Sequence, residues 1–284
     1  MKFKFRKLNI PKWKKKTKSN PKSSEPKEMK SVIRQKVEYG LFAAAVMLLV
    51  AGLLYFSPNV ITVSNTVGDK ELPISCVSTN ENKVALTFDA AWGNEDTQTL
   101  LELLEKHDVK ATFFVTGAWI EKYSDAVKAI AAAGHDIGNH GETSTNMSQL
   151  SRKEIETELK TVHEKIKGLT GVEMELFRPP FGDYNNDVVI TAKACGYYTI
   201  QWDVDSLDWK DYGVESIINS ILDNKHLGKG SIILLRNGAK YTPEALETVI
   251  LGLKEKGYEL VPVSELLIRG GYHLDQEGRQ VPNN

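Results

Sequence analysis

The sequence predicts an α/β domain, a closed or nearly closed β/α barrel, behind one membrane-spanning helix. Two observations carry the prediction. Beyond residue 80 apolar strand-like runs alternate with helical runs about seven times, without repeats or linkers between 81 and 270. That alternation is the pattern of a parallel sheet covered by helices. Ahead of it, Tyr39 to Phe56 is an uncharged apolar run preceded by a basic head. A run of roughly that length can cross a bilayer as a helix.

The head explains the near-neutral net charge of −1. Fourteen of the 36 Lys/Arg residues fall in positions 1–39, with only Glu25, Glu28 and Glu38 against them, so the rest of the chain is acidic. Residues 1–38 are rich in Lys, Ser and Pro and poor in apolar side chains, a composition that does not fold alone. Positive charge before the run at 39–57 predicts a cytoplasmic N-terminus and an external C-terminus, hence a single-pass cell-membrane protein with its main domain extracytoplasmic. The basic head then serves anionic lipid headgroups, and no nucleic-acid partner is expected. A cleaved leader fits less well, because the head is long and "LLYFSPNV" follows the run. Residues 58–80 read as a stalk and lead-in, 81–270 as the main domain, and 271–284 as a loosely ordered tail. Cys76 and Cys195 lie on the side where a disulfide is permitted, but the expectation is two free or buried thiols.

Within the domain the elements follow in order. "KVALTFDA" (83–90) is a strand, 95–108 a helix with apolar residues at Leu100, Leu103 and Leu104, and 110–117 a second strand. A helix is predicted over 119–134, ending at a glycine, then a short strand over 135–140. Residues 150–171 form a long amphipathic helix, with Ser151 and Glu154 spaced as a capping box. Strands follow at 173–180, 197–205 and 231–237, alternating with helices at 185–196, 214–226 and 242–257, and a last strand and short helix fill 258–267.

In a β/α barrel the loops leaving the C-terminal strand ends build the site. Those ends carry Asp89, His140, Arg178 with Pro180 and Gly182, then Asp203, Asp205, Asp208 and Trp209, and finally Arg236. Singly, each is an ordinary solvated strand cap. Ionisable groups at five successive ends of one face form the pattern of a site. His107, His163 and His226 read as surface residues, His135 as a cap or packing residue, and Trp92 and Trp119 as packing near the cleft.

The stretches "ALTFDAAWG", "GHDIGNH", "LFRPPFGDYN", "WDVDSLDW" and "IILLRNGAKYTPEAL" occur in the order and spacing of the polysaccharide deacetylases, the NodB-homology carbohydrate esterases. The resemblance runs from residue 81 to about 268 and, with the head and the span, is greatest to the membrane-anchored, sporulation-associated branch of Gram-positive bacteria. It implies a distorted (β/α) barrel of the NodB-homology type that hydrolyses N-acetyl groups from cell-wall glycan, peptidoglycan or a chitin-like polymer. It also implies a divalent metal, zinc or similar, held by one aspartate and two histidines. The family's base aspartate falls on Asp89, the arginine that orients it on Arg178, the first metal histidine on His140, and the aspartate that tunes the acid on Asp208. Pro180, Gly182, Tyr184, Trp209 and Arg236 fall among the substrate-binding positions.

Three positions depart from the pattern. Ala90 stands where the metal aspartate belongs, Ser144 in place of the second metal histidine, and Arg236 in place of the acid histidine. A hydroxyl is a poor ligand for zinc, although the nearby Glu142 offers a substitute carboxylate. A guanidinium stays protonated and cannot act as general acid. The sequence therefore predicts a degenerate site and an Asp208–Arg236 ion pair, which either keeps the cleft folded or, with Arg178, makes a cationic cleft for an anionic glycan. It leaves two functions: a deacetylase by descent, or a catalytically silent glycan-binding or scaffolding member.

Overall fold

Lys83–Ala90 (β1) has two faces, and they organise the fold. Val84, Leu86, Phe88 and Ala90 pack with the helices in one core cluster, while Ala85 joins a second cluster on the other face. That period of two leaves Thr87 and Asp89 on the Ala85 side. The computed structural model describes Met47 and residues 63–283. The strands that follow β1 are Thr112–Val115 (β2), Asp136–Asn139 (β3), Leu176–Phe177 (β4), Tyr198–Thr199 (β5), Val204–Asp205 (β6), Ile232–Arg236 (β7) and Glu259–Leu260 (β8). They pair in parallel in the order β6-β7-β1-β2-β3-β4-β5, with β8 joined to the start of β1. The connecting helices are Thr97–Lys106 (α1), Gly117–Lys122 (α2), Ser124–Ala132 (α3), Arg152–Thr170 (α4), Asn186–Ala194 (α5), Val214–Leu222 (α6) and Thr242–Glu255 (α7).

This is the expected α/β fold of the NodB type, with one difference: the parallel sheet is a half-barrel rather than a closed ladder. The strand expected over 197–205 breaks into β5 and β6, and these two become the opposite edges of the sheet. The cause lies in the four residues between them. Gln201 N–H donates to Ile74 O at 2.7 Å, Gln201 O accepts from the Arg178 guanidinium at 3.0 Å, and Asp203 N–H donates to Ile232 O at 3.2 Å. The lead-in segment and an arginine thus take the backbone groups that a continuous ladder would have used.

Elsewhere local signals and structure agree. Ser151 and Glu154 form the capping box of α4, which ends at Gly171 in the left-handed region. The helix expected over 119–134 divides at Tyr123, whose backbone leaves the helical region. The tail is not loose. Tyr272–Leu274 and Arg279–Pro282 form an antiparallel pair that joins Val63–Ser64 and Cys76–Val77 in a second sheet, with Tyr272 and Leu274 buried. Cys76 and Cys195 are both free thiols. Among the described residues no helix is long and apolar enough to cross a membrane, and the head and the run at 39–57 lie outside the described residues.

Candidate functional site

Asp89, at the C-terminal end of β1, and Arg178, just past β4, meet in the interior of the domain. Arg178 is completely buried. Its Nη1 donates to Asp89 Oδ1 at 2.9 Å and to Thr87 Oγ1 at 2.8 Å, and its guanidinium lies 4.1 Å from the Phe114 ring centre. A guanidinium is held in such a place only by a partner carboxylate and fixed acceptors.

His140 follows β3 and completes this group. Its Nδ1 lies 2.7 Å from the Arg178 carbonyl oxygen, which can only accept, so Nδ1 carries the proton. Nε2 is left with a lone pair, 3.7 Å from Asp89 Oδ2. Burial holds the His140 pKa below its ordinary value, against the upward pull of Asp89, and keeps the ring neutral.

A second group stands opposite. Arg236 ends β7 directly in register with Asp89 across the ladder. The expected ion pair is present, with Arg236 Nη1 donating to Asp208 Oδ1 at 3.0 Å. Asp208 Oδ2 also accepts the Arg236 N–H at 2.7 Å and the Thr242 hydroxyl at 2.9 Å. Burial pushes the Asp208 carboxyl above its usual range, with Arg236 pulling it down. The loop beyond is clamped by Asp96, whose two oxygens accept the Gly238 N–H at 2.9 and 2.8 Å. Gly238 has φ +90°, and a Cβ there would lie 2.9 Å from Gly93 N, so the crossing requires glycine.

Between the two groups lies a cavity of about 180 Å³, reached by Asp89, His140, Ser144, Asp205 and Arg236. It opens into a groove of about 630 Å³ beside Arg236 and Lys240. Trp92, Phe181 and Trp209 are exposed at the rim that the two share. Pro180 lines the cavity, and Gly182 O accepts from Gln201 Nε2 at 3.0 Å, fixing the loop that carries Phe181.

Not every residue picked out in the sequence comes here. Tyr184 lines a separate groove with Lys70 and Glu71. Asp203 serves the opposite end of the sheet, where it accepts from the Ser231 hydroxyl and the Ile232 N–H, and burial pushes its carboxyl up to about 6. Glu142 is not a substitute ligand: it pairs with Lys165 and packs against Gly117. The cationic cleft shrinks to one arginine, because Arg178 is buried and spent on Asp89. His163 is more than a surface residue, since its ring lies 2.7 Å from the Tyr197 hydroxyl and 2.8 Å from Glu173. Reasoning from sequence missed Phe181, whose φ of +57° turns a large apolar side chain outward. The signal was faint, a phenylalanine between prolines and a glycine.

A zinc site needs at least three protein ligands of His, Cys or carboxylate type. Ala90 is buried in the helix-side core cluster, and Ser144 sits exposed at the cavity, so neither supplies one. Among the described residues no group of three or more His, Cys, Asp or Glu is arranged to hold a metal ion. The donor set therefore does not fit the metal that the sequence resemblance implies.

A sequence model of the polysaccharide deacetylases matches residues 77–200. An uncharacterized protein of Bacillus subtilis (strain 168), YlxY, is 35% identical over 195 residues, covering 69% of this chain and 60% of that protein, so the chain spans less than two thirds of that relative. A peptidoglycan-N-acetylglucosamine deacetylase of Bacillus cereus is 38% identical over 200 residues, covering 67% of this chain and 91% of the relative. Among solved structures, a CE4 family pseudoenzyme from Bacillus anthracis superposes with a TM-score of 0.67 at 34% identity, covering 75% of this chain and 73% of that one. A mutant of that pseudoenzyme, described as having restored enzymatic activity, superposes with a TM-score of 0.66 at 38% identity, covering 69% and 71%.

Proposed function

The chain belongs to the polysaccharide deacetylase family, and from that premise we propose that it binds cell-wall glycan in the aromatic-rimmed cleft without carrying out the family's metal-dependent hydrolysis. The observation that carries this reading is Arg236. Where a proton donor is needed to release the amine, the cleft has a guanidinium fixed to Asp208 at 3.0 Å. Guanidinium does not give up its proton in the working range of a protein. Losing a general acid lowers a rate by roughly 10²–10⁴-fold. The relation to a pseudoenzyme at 34% identity supports the same reading.

What this chain's residues do is bind and orient. Trp92, Phe181 and Trp209 offer exposed faces along which a sugar ring lies. Arg178 holds Asp89 in place, and Arg236 and Asp208 fix the opposite wall. An N-terminal span that keeps the domain outside a membrane is part of the proposal, supported by the basic head and the uncharged run from Tyr39 to Phe56.

A second reading, residual N-deacetylation, is favoured by the intact Asp89–Arg178–His140 arrangement. One experiment separates the two. The purified full chain is mixed with peptidoglycan and with N-acetylated chitooligosaccharide, with and without added zinc or cobalt, while bound glycan, bound metal and released acetate are measured. The expected result is retained glycan with no acetate above background. Stoichiometric metal accompanied by acetate release would overturn the silent reading.

A further inference from the structure

Two buried acceptors stand close together at the small cavity. His140 Nε2 presents a lone pair, because its Nδ1–H is given to the Arg178 carbonyl. Asp89 engages Arg178 through Oδ1, while its Oδ2 takes no hydrogen bond from a described residue and lies 3.7 Å from that lone pair. Both side chains are more than nine-tenths buried, and both line the cavity. Two acceptors set that close call for a donor that serves both. Asp205, half-buried on the same cavity, adds a third; its Oδ1 accepts the Leu207 N–H at 2.9 Å. The Ser144 hydroxyl and Arg236, which gives one guanidinium N–H to Asp208, line the same cavity.

The charges tell the same story. Arg178 pairs with Asp89 and Arg236 with Asp208, while Asp205 brings to the cavity a carboxylate with no ion pair among the described residues. A protonated primary amine brings one positive charge and three N–H donors that rotate freely to meet acceptors. It does not need the rigid set of three ligands that zinc requires. The rim of Trp92, Phe181 and Trp209 stands where a sugar carrying that amine would pack.

We infer that the cavity receives the free ammonium group of a de-N-acetylated aminosugar, so that the chain reads glycan from which N-deacetylation has already removed acetate. The inference rests on the glycan-binding reading and gives it a ligand class. The reaction that must supply the ligand is hydrolysis of an acetamide on a wall polymer, carried out by another protein.

The test is equilibrium binding by the purified full chain to three probes: chitopentaose, its fully de-N-acetylated pentamer, and pentalysine as an amine without sugar. The de-N-acetylated pentamer is expected to bind at least tenfold tighter than chitopentaose, the scale of one charge-assisted hydrogen bond. Asp205→Asn should remove roughly a tenfold part of that preference, read as the ratio of the two affinities in the same variant. Because a variant can fail to fold, the wild-type chain is also titrated upward in pH, where neutralising the amine should abolish the preference. Equal or tighter binding of chitopentaose would overturn the inference and leave glycan binding standing. Pentalysine binding as tightly as the pentamer, or zinc binding stoichiometrically and displacing the sugar, would overturn it as well. Binding of neither sugar would overturn both readings together.

Discussion

Two carboxylate–guanidinium pairs stand at the ends of neighbouring strands, and they are built inside out with respect to each other. In the first, the Arg178 side chain is 0% exposed and Asp89 8%, so the cation is buried and the anion reaches the cavity. In the second, the Asp208 side chain is 0% exposed and Arg236 19%, so the anion is buried and the cation reaches the cavity. Arg178 spends its guanidinium on Asp89, Thr87 and Gln201, three acceptors inside the fold. Arg236 makes one hydrogen bond through its guanidinium, to Asp208, and lies 5.7 Å from the ring of Trp209. The difference teaches which pair is structural. The first holds a strand end, a broken edge and a histidine together, whereas the second turns the edge of a paired guanidinium towards the groove.

The largest expected effect comes from converting the outward-facing cation into a proton donor. Asp208 is already placed to orient a side chain at position 236, and Ser144 stands exposed on the same cavity as Arg236. Ser144→His combined with Arg236→His should take bound zinc towards one per chain and raise acetate release from N-acetylated chitooligosaccharide by about 10²-fold or more. Metal analysis and an acetate assay on the same preparation check both halves. An unchanged rate with zinc bound would mean that the second pair does not occupy the acid's place.

Stability distinguishes the pairs next. Arg178→Met leaves Asp89 as a buried, uncompensated charge and frees Gln201 O and Thr87 Oγ1, a loss of about 3–5 kcal/mol. That corresponds to a fall in Tm on the order of 10 °C for a domain of this size. Arg236→Met removes the counter-charge of the fully buried Asp208 but leaves it the backbone N–H of residue 236 and the Thr242 hydroxyl, and should cost about 2–3 kcal/mol. Urea and thermal unfolding of both variants give the ratio. Equal losses would erase the distinction between a structural pair and a presented one.

What the sequence made legible, and what it hid, divides along the range of the interactions. The capping box at Ser151 and Glu154 is complete within four residues, so its signature reads directly. The strand ends that carry Asp89, His140 and Arg236 were legible because a polar residue closes a short strand-like run between helical stretches at each of them. The break between Thr199 and Val204 was not, because its causes are Ile74 and Arg178, which are distant in sequence. The tail looked loose because Tyr272 and Leu274 find their cover in the lead-in segment some two hundred residues earlier. Glu142 looked available for a metal because nothing local announces Lys165 on the facing side of α4.

The smallest effect supplies a control outside both pairs. His135 and His140 flank the same four-residue strand, β3, at opposite ends. His135 Nδ1 accepts the Ala111 N–H at 3.1 Å, and burial, helped by Lys110, lowers its pKa to about 4 from 6.5. A histidine with a depressed folded pKa binds fewer protons folded than unfolded between those values. Stability is therefore full above about pH 6.5 and drains away as the pH falls towards 4. Discounted for partial access of solvent, the loss should be on the order of 1–2 kcal/mol. In His135→Asn the amide oxygen keeps an acceptor for Ala111, so urea unfolding from pH 7 to pH 4 should show a shallower decline than in the wild type. The decline that remains includes His140, the other neutral ring, whose pKa burial also lowers. A variant that loses stability with acid as steeply as the wild type would show that His135 is not the acid-sensitive group.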